Sequence, residues 1–359
     1  MNPHLIAHDQ LRRTIFYPKT DVAHDAALYP ALRSTLDQSL HEHLPIIHDI
    51  CLSRWGCLPA HITPIAPGGT FHLLYKISVN NQLYVIRLNR LKEFRVAWEF
   101  LIDAWVYPKL ASLGLPGPSV VTIDCSRSIC PTDYQILTYV HGQQLSAFQD
   151  PETQYIEPVL LQAIGAYVAQ VHQVALAGFG PLGLASLQNP TGIHNSWQDY
   201  IFLRLQEHID VCLNIDAISS HEALIIQKIF VEHAQIFECS SPVLLHGDLG
   251  NHNFLSQNGV SISALIDWED CMSGDPVFDI AFWGTFFRDH MLKDFLIGYR
   301  QHTALPDDFE LCYWLYFLRI ALSKTVHRFR FGYQDHPGRP PASLRIQRAL
   351  ENVIRLQGG

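Results

Sequence analysis

Three side chains in the second half of the sequence have the types and spacing that phosphoryl-transfer chemistry needs. In the stretch LHGDLGNHNFL, Asp248 stands five residues before Asn253, and Asp267 follows at the end of the apolar run Ala264-Leu265-Ile266. Moving a phosphoryl group from a nucleotide takes one carboxylate to accept the proton of the attacking hydroxyl. It also takes an amide oxygen and a second carboxylate to hold magnesium on the phosphates. A D-x-x-x-x-N spacing alone is weak; joined to a downstream Asp on an apolar strand it points to that reaction. Asn258-Gly259 lies between two β-prone runs, and Asn-Gly favours a tight hairpin turn because both central residues tolerate positive φ. Such a hairpin returns the chain so that Asn253 and Asp267 finish at the same end, about 10 Å apart along the ribbon. The loop bearing Asp248 must then curl back. The competing reading, polar residues capping the turns of an ordinary hairpin, does not call for His-Gly-Asp ahead of it.

The rest of the pattern supplies elements to position these groups. From His61 the chain reads as strands: ITPIAPGGTFHLLYKISV, the polar turn Asn80-Asn81, then LYVIRL. Gly68-Gly69-Thr70, between the first two strands, would let backbone N–H groups approach phosphates without side-chain obstruction, although Gly-Gly is also an ordinary turn. Residues 96–113 carry Phe100, Ala104, Tyr107 and Leu110 on one helical face and stop at Gly114-Leu115-Pro116-Gly117-Pro118. YQILTYV at 134–140 reads as a buried strand. Beyond it the pattern is mainly helical, over 158–174, 196–213, 220–237, 279–301, 308–331 and 342–356. In the first of these, His172 lies on the packed face with Ile164, Val168 and Val171 and reads as a core histidine. Residues 1–59 form an N-terminal extension with helical content over 26–55.

These motifs resemble the aminoglycoside phosphotransferase and choline kinase family, the small-molecule branch of the protein-kinase-like fold. The resemblance rests on His246-Gly247-Asp248…Asn253, on Ile266-Asp267-Trp268-Glu269, and on Gly274-Asp275-Pro276-Val277-Phe278-Asp279-Ile280-Ala281. It covers residues 60–330, firmly in the catalytic segment and loosely before it. It implies an α+β, bilobal fold: a small β-rich N-lobe over 60–139 that roofs the nucleotide, and a larger, mainly helical C-lobe over 140–359. By this resemblance Asp248 is the base and Asn253 and Asp267 are the metal ligands. His246 supports the loop, and Asp279 braces it as a buried carboxylate on the next helix. Arg87, with Lys76 as the alternative, takes the place of the cation on the α- and β-phosphates, where the family commonly has Lys. Asp103, or Glu99 one turn earlier, is the acid that pairs with it. The backbone of Thr138, Tyr139 and Val140 is the adenine-facing hinge. The co-substrates implied are ATP or GTP with Mg2+, and the acceptor is a hydroxyl of a small molecule.

Composition sets the outer bounds. The 359 residues are 48% hydrophobic without a low-complexity tract, enough for a large core in two lobes. The formal net charge of −9 argues against nucleic acid and permits a cationic acceptor. Asp199, Glu269 and Asp270 are the acids expected to meet one, and an aminoglycoside-type antibiotic is the first expectation. A kinase of a small metabolite and a catalytically silent nucleotide-binding protein are the alternatives, although a silent relative would have lost the base or a metal ligand. No apolar segment has the length to span a bilayer, and no signal-peptide stretch opens the chain. The eight cysteines form no C-x-x-C pair and read as reduced thiols of a cytoplasmic protein. His41-Glu42-His43 misses the H-E-x-x-H spacing, and a zinc site built from His246, His252, Asp248 and Asp267 is the remaining metal alternative.

Overall fold

The computed structural model describes residues 9–21, 40–65, 72–89, 98–150, 153, 155–183, 188–286, 289–330, 332 and 341–357. The chain forms two compact units. The smaller takes His24–Gly142 and Ser263–Glu269; the larger takes Met1–Ala23, Gln143–Ile262 and Asp270–Gly359. The stretch 1–59, expected as one extension, is therefore divided: its first part belongs to the larger unit and Leu40–Trp55 to the smaller.

The smaller unit is a five-stranded antiparallel sheet in the order β1-β2-β3-β5-β4, with β1 His61–Pro64, β2 His72–Val79, β3 Gln82–Asn89, β4 Val120–Asp124 and β5 Tyr134–Thr138. The β2–β3 hairpin closes between Val79 and Gln82, and its two turn residues, Asn80 and Asn81, have φ of 50° and 62°. Asn tolerates this conformation better than other side-chain-bearing residues do, which fixes the register of both strands. Alternation then sorts the faces. Tyr75, Ile77, Ile86 and Ile136 point to helix α1 (Leu40–Trp55) and pack against its Ile47, Ile50 and Cys51. Arg87 and Gln135, paired across β3 and β5, point the other way, where Arg87 meets Phe100 and Asp103 of α2 (Trp98–Ser112).

The larger unit is mainly helical. Its helices are α3 Pro158–Val171, α4 Trp197–Phe202, α5 Leu205–Asn214, α6 Ser220–Glu232, α7 Pro276–Gly284, α8 Asp289–Tyr299, α9 Phe309–Arg330 and α10 Ala342–Gln357. Two expected helices are broken. The stretch 196–213 divides at Leu203–Arg204, where Arg204 has φ 51°. The cause is remote: Arg319 on α9 donates from Nε to Ile201 O and from Nη2 to Leu203 O, taking up carbonyls at the end of α4. The stretch 279–301 instead begins at the Asp275 N-cap and Pro276 and ends at Gly284, before α8 resumes. Residues 9–21 pack on this unit. Arg319 lies 3.5 Å from the centroid of the Phe16 ring, His208 bonds Asp21 at 2.7 Å, and the Tyr17 hydroxyl donates to Asp270 at 3.3 Å.

No helix among the described residues is long and apolar enough to cross a membrane.

Candidate active site

The predicted residues fall into two sets, one in each unit. In the larger unit, β7 (Val243–Leu245), buried at Leu244 and Leu245, delivers the chain to His246. Gly247 follows with φ 77°, and a Cβ there would stand 2.1 Å from the carbonyl oxygen of Asp270, so the turn accepts only glycine. Asp279, on the first turns of α7 and fully buried, accepts from the backbone N–H of His246 at 2.6 Å and of Gly247 at 2.9 Å. Its Oδ2 also lies 3.4 Å from His172 Nε2, and the other ring nitrogen of His172 bonds Tyr299 OH at 2.8 Å. His172, read as a core histidine, thus also braces the catalytic loop through Asp279. His246 Nδ1 in turn accepts from Asp248 N–H at 3.3 Å. The Asp248 carboxylate is left 12% exposed at the end of this fixed turn. Asn253 donates from Nδ2 to Asp248 O at 2.9 Å, so its Oδ1 is not the atom engaged in that bond. The loop then runs into β8 (Phe254–Ser256), paired with β6 (Gln143–Gln144). The following turn is wider than the expected two-residue hairpin. Only Gly259 adopts positive φ, because Ser256 Oγ and Asn258 Oδ1 accept the N–H groups of Gly259, Val260 and Ser261.

The smaller unit holds the second set. Arg87 Nη1 donates to Asp103 Oδ2 at 2.5 Å and to Gln135 Oε1 at 3.2 Å, while Nη2 lies 3.5 Å from His72 Nδ1 and 3.8 Å from Asp267 Oδ1. Arg87 and Asp103 are both buried. Burial pushes the Asp103 carboxyl up to about 6 against the pull of Arg87, and the charges of Asp267 and Glu269 push the same way. Asp267 adopts φ 69°, a conformation that costs energy in a non-glycine residue and that clusters at functional sites. The turn is pinned by Trp268, fully buried, whose Nε1 donates to Leu265 O at 3.0 Å. The Asp267 side chain itself is 36% exposed. Both it and Asn253 Oδ1 are oxygen donors of the kind Mg2+ takes, so the residues fit that ion.

At the predicted hinge, Thr138 N–H is taken by Ser119 O and Tyr139 N–H by Leu83 O, which leaves Val140 to offer its N–H. Lys76, the alternative to Arg87, instead stands 5.2 Å from the centroid of the Tyr139 ring. Gly68, Gly69 and Thr70, and the side chain of Glu99, lie outside the described residues. The three acids chosen for the acceptor are scattered. Asp199 is exposed on the first turn of α4, Glu269 is buried within the field of Arg87 and Asp103, and Asp270 is buried against Tyr17. Gln135, His72 and Tyr299 were not singled out from the sequence. Gln135 alone left a signal there, as a polar residue inside the apolar run YQILTYV.

The larger unit thus carries a loop braced from a helix, and the smaller a buried cation–carboxylate pair beside an aspartate at positive φ. The sequence model of the Phosphotransferase enzyme family matches residues 61–312, and the chain belongs to that family. Over 269 residues it is 28% identical to the hygromycin-B 4-O-kinase of Escherichia coli, covering 73% of each protein. Among solved structures it is similar to the aminoglycoside phosphotransferase APH(4)-Ia in ternary complex with ADP and hygromycin B. That match has TM-score 0.62 and 21% identity, over 85% of this chain and 98% of the other. The macrolide 2′-phosphotransferase MphH from Brachybacterium faecium shares the fold at TM-score 0.57 and 14% identity, over 86% and 98% of the two chains. The protein is thus a small-molecule kinase acting on a hydroxyl acceptor.

Proposed function

We propose that the protein moves the terminal phosphate of ATP or GTP to a hydroxyl of an aminoglycoside-type acceptor, with Asp248 as the base. The observation that carries this reading is the double acceptance by Asp279. It fixes His246 and Gly247, so the Asp248 carboxylate is held in place before substrate arrives, and positioning is most of what phosphoryl transfer asks of a protein. Asp248 hydrogen-bonds the acceptor hydroxyl and takes its proton as that oxygen bonds to the γ-phosphorus. The bond from the γ-phosphorus to the β–γ bridging oxygen breaks, and the electron pair leaves with the nucleoside diphosphate. Arg87, held by Asp103 and Gln135, faces the α- and β-phosphates, and Val140 N–H meets the base. Asn253 and Asp267 hold Mg2+, which when bound supplies positive charge against the phosphate oxygens. Support for the acceptor class comes from the relatives: one is named a hygromycin-B 4-O-kinase, and a solved aminoglycoside phosphotransferase is in complex with ADP and hygromycin B. None of the eight cysteines is joined in a disulfide, which suits the cytoplasm.

The test is nucleotide consumption by the purified protein against hygromycin B and a panel of hydroxylated antibiotics and metabolites, with the product located by phosphorus NMR. Acceptor-dependent turnover that disappears in Asp248→Asn supports the reading. Consumption that no hydroxyl acceptor stimulates sinks it.

A further inference from the structure

Of the groups that converge on Asp279, one is a histidine, and it donates only if its proton sits on the right nitrogen. Both ring nitrogens of His172 are engaged: Nδ1 lies 2.8 Å from the Tyr299 hydroxyl and Nε2 3.4 Å from Asp279 Oδ2. All three side chains are buried. A neutral imidazole carries one proton, and its partners decide which nitrogen holds it. Here the hydroxyl decides. Among the described residues, His172 Nδ1 is the one acceptor within reach of the Tyr299 O–H. A proton on Nδ1 would leave that buried O–H unpaired and turn the Nε2 lone pair toward a carboxylate, and both are costly. Burial raises the Tyr299 hydroxyl above its ordinary pKa, and the charges of Asp279 and Asp275 raise it further, so it keeps the proton it donates. Nδ1 therefore accepts, and Nε2–H faces Asp279.

Packing fixes where that hydroxyl stands. Tyr299 closes α8, which lies directly against α3: a Cβ at Gly165 would overlap Phe295 O, and one at Gly298 would overlap Gln162 O. The Tyr299 ring stacks on Phe295 with centroids 6.1 Å apart, and Phe295 stacks on Trp283 of α7 at 5.3 Å. Asp279 stands one turn before Trp283 on the same helix. The hydroxyl thus reaches His172 from a rigid frame shared with the carboxylate.

We infer that Tyr299 is a positioning residue for the transfer reaction: its hydroxyl orients His172 so that Nε2–H completes the donors by which Asp279 holds the His246–Gly247 turn, and with it Asp248. This rests on the transfer reading above and deepens it. Buried in the core, Tyr299 meets no substrate and acts on turnover through the ring and the carboxylate in series.

The experiment measures transfer from ATP to hygromycin B, or to the best acceptor of the panel above, by the wild type, Tyr299→Phe, His172→Leu, His172→Gln and the double variant Tyr299→Phe with His172→Leu. Phe keeps the ring stack and removes only the hydroxyl. Tyr299→Phe should lower kcat on the order of tenfold, with each KM changed less than about twofold. His172→Leu should lower kcat at least as far. The double variant should stay within about twofold of His172→Leu, because the hydroxyl acts through the ring. His172→Gln, whose amide N–H still reaches Asp279, should recover most of that loss. A hydroxyl that served only the packing of α8 would shift the unfolding midpoint in every background and leave kcat alone. Wild-type kcat in Tyr299→Phe, or losses that multiply in the double variant, overturns the inference. If the wild type transfers phosphate to no acceptor, the transfer reading falls, and the His172 ring is read by itself through nitrogen NMR at neutral pH. A ring protonated at Nε2 alone in the wild type and disturbed in Tyr299→Phe supports the inference. A proton on Nδ1 in the wild type, or the same spectrum in the variant, overturns it.

Discussion

Asp279→Asn tests how far the catalytic loop depends on one buried carboxylate. Three donors converge on that group: His246 N–H, Gly247 N–H and His172 Nε2. Asn has the same shape but only one acceptor oxygen, so its amide NH2 must face one of the backbone N–H groups, donor against donor. The exchange removes at least one charge-assisted bond, about 1.5–3 kcal/mol, and leaves a buried donor unpaired, about 1–3 kcal/mol. The two costs overlap in part, and a loss of about 3–5 kcal/mol is expected. In a protein of this size that lowers the melting temperature by roughly 4–7 °C. Below its midpoint the variant should still fold, but with the Gly247 turn displaced. A misplacement of about 1 Å at a reacting group can cost a hundredfold in rate. The assays are urea unfolding followed by circular dichroism, and steady-state transfer with each substrate varied. Turnover should fall far more than the nucleotide KM rises. A variant within about 0.5 kcal/mol of the wild type and within about twofold of its turnover would refute the bracing argument.

Asp248→Asn should lower turnover by about 10²–10⁴-fold while calorimetry shows unchanged Mg-nucleotide affinity, and an active variant removes Asp248 as the base. Asp267→Asn should leave the fold intact, since Asn tolerates φ near 69°. It should weaken Mg-nucleotide binding on the order of tenfold in a titration, and unchanged binding means that Asp267 does not meet the metal. Arg87→Lys should not substitute for Arg. One ammonium cannot serve Asp103, Gln135 and His72 together, and the loss, about 1–3 kcal/mol per abandoned partner, should appear in the unfolding midpoint and the nucleotide KM. Asp103→Asn should flatten part of the pH dependence of stability. The folded carboxyl titrates at about 6 and the ordinary value is 3.8, so between these the folded state binds the more protons. Stability from this group is full below about 4 and falls as pH rises to about 6. The wild-type-minus-variant difference in urea midpoint should fall across that window, and a constant difference contradicts the assignment.

What was legible in the sequence was mostly local. His246 to Asp279 spans 33 residues, the Asn80-Asn81 turn needs only two, and the Asp275-Pro276 start of α7 is its own cap. Such features depend on backbone chemistry within a few turns of chain. The rest depends on partners that spacing does not reveal. The break at Leu203 is made by Arg319, 116 residues away, and Gln135 reaches Arg87 across 48. The Asn-Gly turn was placed correctly, but its form was set by two side-chain acceptors that compete for its N–H groups. The acids expected to meet the acceptor rest on family resemblance and on charge, and charge carries no information about burial: Asp270 and Glu269 are buried.

The packing of residues 9–21 bears on how this protein can be cut. A fragment trimmed to the family span, starting at residue 61, would discard Phe16, Tyr17 and Asp21 together. Arg319, wholly buried, would lose the ring it stacks on, His208 its carboxylate, and Asp270 a hydroxyl donor, while Arg330 and Arg204 would lose the carbonyls of Thr20 and Thr14. Uncovered cations in an apolar recess make a soluble fragment a poor prospect and an aggregating one a good bet. The span that defines kinship is therefore shorter than the span that folds, and vectors for expression or crystallisation should begin no later than residue 9.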